Sequence, residues 1–221
     1  MRRLHLLVEG QTEETIVGDL IVPHFESLRW YVSVSILTTR RVAGQPARRG
    51  GVSSWRKIHR ELQMLLPSRY DVLTTVIDYY GCPLDTPGMD NRPTGGARAR
   101  VEHVEAAIAS TVDHPCFVPH LVLHETEAWV LAAVDYLGSV LDDEAGAASV
   151  KKVVDESGGP EMVNDGPTTA PSKRLLAQWP TYQKTLDGPL ALIDMGLGGV
   201  RRRCPHLDAW LRRIEEWPVR S

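Results

Sequence analysis

"LLVEGQTEE", Leu6 to Glu14, decides how the chain is read. An apolar run ends in Glu9, a glycine follows, and then come Thr12, Glu13 and Glu14. The run from Arg3 to Val8 has the pattern of a buried strand. Thr12 is expected to cap a helix reaching about His24, with Glu13 and Glu14 in its first turn, where the helix dipole favours acids. A carboxylate at the tip of a buried strand is costly to desolvate. Glu9 is therefore either satisfied by local backbone donors or holds a cation.

The pattern repeats outward from this stretch. A β-branched run, Tyr31 to Thr39, reads as a second strand. A polar loop follows, Arg40 to Gly51, in which Arg40, Arg41, Arg48 and Arg49 lie among glycines. Ser53 or Ser54 starts a helix to Leu66, with Trp55, Ile58, Leu62 and Leu65 at helical spacing. Tyr70 to Asp78 is a third strand, followed by a loop rich in Pro and Gly over 81–96. Val101, Val104, Ile108 and Val112 mark an amphipathic helix, Phe117 to His124 a fourth strand, and another helix begins at about Glu125. Strand and helix alternate with crossovers long enough for parallel pairing, so residues 1–137 read as an α/β core with helices on both faces. Residues 138–221 read as a helical C-terminal extension packed on that core, without a fold of its own.

Composition narrows the function classes. The 221 residues, 43% of them hydrophobic, suffice for one core of ordinary size. A net charge of −3 supplies no global basic field for nucleic acid, so any such binding needs a local patch. Cys82, Cys116 and Cys204 are scattered and odd in number, which fits neither a zinc pair nor a disulfide framework. No apolar run reaches the ~18 residues of a membrane span, and a cytoplasmic location is expected. His124-Glu125 fails as a zinc-protease motif because position 128 is Ala128. No phosphate-binding GxxxxGK[ST] occurs, and Tyr79 and Tyr80 are expected to pack beside a site rather than act as nucleophiles.

Strand one ends in Glu9, strand three in Asp78, and strand four runs into His124-Glu125-Thr126-Glu127. In a parallel sheet these carboxyl ends share one edge, where ligands bind. Each acid taken singly is equally explained as a helix cap. Together they would repel one another unless neutralised, and an all-oxygen ligand set suits Mg²⁺ or Mn²⁺. The Arg loop suits phosphate contacts as well as it suits a solvated surface.

"VEGQTEE" followed by "VIDYYG" resembles the Toprim signature, and the ordered set of motifs resembles a bacterial Toprim-like family, domain of unknown function 4276. That family is akin to RloB-like and overcoming-lysogenization-defect Toprim nucleases. The resemblance also rests on "LHETEAW" (123–129), "APSKR" (170–174), "YQK" (182–184) and "CPHLDAWL" (204–211). It implies a Toprim-like, Rossmann-like and mostly parallel four-stranded sheet, a divalent-metal site, and nuclease or other phosphodiester chemistry. The implied setting is phage defence beside an AAA/ABC-type ATPase. On this reading Glu9, Asp78, Glu125 and Glu127 hold the metal. Lys173 assists Glu9 and Asp78 in catalysis, while Arg40, Arg41, Arg48, Arg49, Ser172, Arg174 and Lys184 meet a nucleic acid substrate. One departure stands out: a Toprim motif has a second Asp after strand three, and here that position is Tyr80. A catalytically degenerate binding module for the ATPase is therefore the competing reading.

Overall fold

The computed structural model describes residues 1–37, 54–163, 166 and 168–218. β1 (Arg2–Val8) leads into a helical segment built from α1 (Gln11–Ile16), a π-helical stretch (Val17–Ile21) and α2 (Val22–Ser27). β2 (Trp30–Ile36), α3 (Trp55–Leu65), β3 (Val72–Asp78) and α4 (Ala97–Val112) follow. Among the described residues all strand pairs are parallel, in the order β2-β1-β3, and β3 then pairs with β4 (Phe117–Val118) and β5 (Leu121–Val122). This is the mostly parallel, Rossmann-like sheet that the resemblance implied.

The period of two in the strands sorts the core into two layers. Leu4, Leu6, Val8, Val72 and Val76 face one cluster, and Leu7, Leu73 and Ile77 face the other. The second cluster is closed by Ile58 and Leu62 of α3 and by Val101, Val104 and Ile108 of α4. The first is closed by the helical segment after β1 and by the helices beyond β5: α5 (Glu127–Ala132), α6 (Val134–Val140), α7 (Glu144–Glu156), α8 (Pro171–Gln178), α9 (Asp187–Met195), α10 (Leu197–Arg203) and α11 (Pro205–Glu215). Trp210 of α11 donates its indole N–H to Thr74 Oγ1 of β3 at 2.9 Å, a buried tie between the last helix and the central sheet.

Three local readings are corrected. The first helix begins at Gln11 on an extended Gly10 with no side-chain cap, so Thr12 lies inside its first turn. The helical path runs past His24 to Ser27, and its π-helical widening ends at Ile21, two residues before Pro23, which has no N–H for the preceding turn. The fourth strand is not continuous over 117–124. Pro119 interrupts it, and Thr75 Oγ1 replaces the missing ladder, accepting the His120 N–H and donating to the His120 carbonyl, each at 3.0 Å.

Candidate metal centre

The parallel strands deliver their carboxyl ends to one edge. Glu9 follows β1 and extends its ladder, its N–H donating to the Val76 carbonyl at 3.1 Å. The Asp78 N–H then donates to Glu9 Oε2, also at 3.1 Å. After β5 the chain enters the left-handed region at His124, with φ 65°, and the Tyr80 N–H donates to the His124 carbonyl at 2.7 Å. A non-glycine residue there is uncommon and marks a strained turn. The turn brings residues 125–127 over the strand ends. Thr126 donates its N–H to Asp78 Oδ1 at 2.9 Å, and Asp78, Glu125 and Glu127 each place a carboxylate oxygen within 4.8 Å of the others.

Thr126 Oγ1 lies 2.8 Å from Asp78 Oδ1 and 2.8 Å from Glu13 Oε1. A hydroxyl supplies one proton, so the second of these contacts requires a protonated carboxyl. Burial, followed by repulsion from Glu13, Glu9 and Glu127, lifts the pKa of Asp78 well above the carboxylate range, against the opposing hydrogen bond from Thr126. Glu9 is pushed up to about 7, first by burial and then by Glu13, against the opposing hydrogen bond from Asp78. Burial also raises the pKa of Glu127.

One ammonium stands among these acids. Lys184 Nζ is 2.6 Å from Glu127 Oε1 and 3.8 Å from Glu125 Oε2. Burial works against its charge, but Glu127 and Glu125 outweigh that penalty and its pKa rises. Glu125 Oε1 accepts the Ser172 N–H at 2.8 Å, at the start of α8, where helix N–H groups are free to meet an anion. Glu9, Glu13, Asp78, Glu125 and Glu127 thus outnumber their resident cation. An oxygen-only set of this charge fits a hard divalent ion and does not suit a thiophilic one.

The chain matches the family described as Domain of unknown function (DUF4276) over residues 8–215. It belongs to that family. The match embraces every acid of the cluster and all the helices that carry it. Among solved structures the DUF4276 chain is similar to the C-terminal region of the Burkholderia pseudomallei OLD protein. The identity is 16%, with 96% of this chain and 98% of that chain covered, and the TM-score is 0.44. No protein of curated function matches.

Of the residues singled out in the DUF4276 sequence, Glu9, Asp78, Glu125, Glu127, Ser172 and Lys184 come together. Lys173 is exposed, and the lysine that meets the acids is Lys184. Arg174 is partly buried and donates its Nε–H to the Thr169 carbonyl at 2.8 Å. Arg40, Arg41, Arg48 and Arg49 lie outside the described residues. Sequence reasoning missed three members of the site. Glu13 reads as a dipole-favoured helix acid, and Thr126, between Glu125 and Glu127, carries no reading of its own. Tyr182 is buried with its hydroxyl lacking a hydrogen-bond partner among the described residues. Its pKa is driven up by burial and then by Glu127, Asp187 and Glu125.

Proposed function

We propose that this protein is a divalent-metal-dependent phosphodiesterase, a nuclease, with Mg²⁺ or Mn²⁺ held by Asp78, Glu125 and Glu127 and assisted by Glu9. The observation that carries the reading is the approach of the Asp78, Glu125 and Glu127 oxygens to within 4.8 Å at the carboxyl edge of a parallel sheet. Such an ion would supply Lewis-acid stabilisation of charge on a phosphodiester and lower the pKa of water. Lys184, beside Glu127 and partly exposed, is placed to offset charge building on a phosphoryl oxygen. Glu9, with its pKa near neutrality, can exchange a proton in the working range of such an enzyme. Lys173 and Arg174 at the start of α8 and the arginines of the 40–49 loop are proposed contacts for a nucleic acid backbone. The working partner proposed is an AAA/ABC-type ATPase encoded nearby, in phage defence.

A second reading has its own support. Lys184 at 2.6 Å from Glu127 neutralises part of the cluster without a metal, and Tyr80 occupies the place of a second acid. A degenerate module that binds its ATPase partner without chemistry fits both facts. One experiment separates the two. The purified chain is incubated with single- and double-stranded DNA and RNA in Mg²⁺ or Mn²⁺, alongside Asp78→Asn. Cleavage that needs the cation and disappears in the variant supports the enzyme. Calorimetry showing no divalent binding by the wild type, with no cleavage of any substrate, overturns it in favour of the binding module.

A further inference from the structure

A second group of metal-type ligands lies away from the strand-end acids, on the outer edge of the sheet. Glu105 of α4 reaches round that edge, and its Oε1 accepts the Leu121 N–H at 2.8 Å. The same oxygen is 3.1 Å from His206 Nε2 and 3.5 Å from His120 Nδ1. His120 sits in the Pro119 break between β4 and β5, and His206 lies in the first turn of α11. The position of His206 is fixed from behind, because its backbone N–H and that of Leu207 donate to the buried Glu161 carboxylate at 2.8 and 3.1 Å. The His120 ring is clamped flat, stacked on Trp210 at 4.2 Å with an interplanar angle of 5° and on His206 at 4.9 Å.

A purely hydrogen-bonded account satisfies two of the three residues. His206 Nε2 has both Glu105 and the Leu121 carbonyl, at 3.1 and 3.2 Å. Glu105 has its own donors. His120 is left over: it is 1% exposed, its Nδ1 stands 3.5 Å from Glu105, and its Nε2 has no partner among the described residues. The nitrogen turned to Glu105 is Nδ1, held only by that long contact, and it is the one an ion lying between imidazole and carboxylate would engage.

Ligand spacing offers a different account. A tetrahedral ion with bonds of about 2.0–2.1 Å holds its ligand atoms roughly 3.3 Å apart. The Glu105 separations of 3.1 and 3.5 Å bracket that value. A cavity of about 150 Å³ is lined by Glu105, His120, His206, Trp210 and Arg213, which leaves room for a solvent ligand in a fourth position. Two imidazoles and one carboxylate are the donor set of borderline transition ions, in contrast with the all-oxygen set at the strand ends. We propose that Glu105, His120 and His206 form a second metal site, specific for a borderline divalent transition ion such as Zn²⁺, that fastens α11 and α4 to the edge of the sheet.

The test uses the full chain stripped of metal with a chelator and titrated with Co²⁺ as the spectroscopic probe. With excess Mg²⁺ present to occupy the strand-end acids, the expected result is one Co²⁺ per chain with the visible absorption of a four- or five-coordinate nitrogen- and oxygen-ligated ion. It should persist in Asp78→Asn and disappear in His120→Phe, which keeps a flat ring on Trp210. Competition by Zn²⁺ should abolish the band, and excess Mg²⁺ should leave it intact. His206→Asn is the second variant, with folding checked by circular dichroism. A band unchanged by His120→Phe, or absent from the wild type, overturns the proposal and leaves the three residues a hydrogen-bonded strut. Neither result depends on whether the strand-end acids cleave nucleic acid.

Discussion

Glu9 shows how much of the site's behaviour is set by one carboxylate. Its folded pKa of about 7 lies above the ordinary value of 4.5, so the folded state keeps a proton that the unfolded chain has released. Stability is therefore lost as pH rises through that window, by a loss on the order of 3 kcal/mol once Glu9 is ionised in both states. Glu9→Gln keeps an acceptor for the Asp78 N–H and cannot ionise. In the absence of divalent cation, the variant should match the wild type near pH 4.5 and melt higher at and above pH 7. Added Mg²⁺ should raise the wild-type Tm and move the variant far less. Melting curves across pH, with and without Mg²⁺, check both statements, and a variant destabilised at neutral pH would make Glu9 a structural carboxylate. Lys184 tests the opposite sign. Replacing it with Gln removes the ammonium at Glu127, so the cation-free protein should melt lower while each Mg²⁺ binds more tightly, as calorimetry would report. The sequence exposes Glu9, Asp78, Glu125 and Glu127 because strand ends are legible. It hides Glu13 and Thr126, whose roles depend on the left-handed turn at His124 folding back over β3.

At the scale of elements, hydrophobic period carries the reading far. The buried runs of β1 and β3 and the spacing of Val101, Val104 and Ile108 on α4 all place their elements correctly. Reading fails where one residue overrides the period. Pro119 splits an apparent eight-residue strand in two, and Thr75 repairs the gap with a side chain that no pattern reveals. The C-terminal helices are harder, since their partners are distant in sequence. Trp210 is legible as a core residue, but its bond to Thr74, 136 residues away, is not. Trp210→Phe would leave the buried Thr74 hydroxyl without this donor and should cost about 1–3 kcal/mol. Denaturant unfolding should show a lower midpoint, while the Mg²⁺-induced shift in Tm stays that of the wild type, because the bond lies remote from the strand-end acids.

The whole molecule turns on α5. Glu127, Ala128, Trp129, Val130, Leu131 and Ala132 are all buried, so no side of this helix meets solvent. A helix apolar on every side needs neighbours all round, and the sheet can cover only one. The remainder comes in part from α6, which starts at Val134, and mostly from elements beyond residue 138: α7, the 3₁₀ turn Pro160–Met162, α8, α9 and α10. The same helix carries Glu127, whose cation partner Lys184 also lies in the later segment. We therefore propose that residues 138–221, the helical extension packed on the core of residues 1–137, also complete that core. Burying Trp129, Val130 and Leu131 is worth about 1.5–3 kcal/mol each, a sum comparable with the whole stability of a domain, about 5–15 kcal/mol. A chain ending at residue 137 should consequently lack cooperative thermal unfolding and bind hydrophobic dye, even though it retains β1 to β5 and Glu9, Asp78, Glu125 and Glu127. Co-expression with residues 138–221 should restore a single transition and the Mg²⁺ response together. A truncated chain that melts cooperatively by itself would make the two segments separable, and the strand-end acids would then have to find their counter-charge without Lys184.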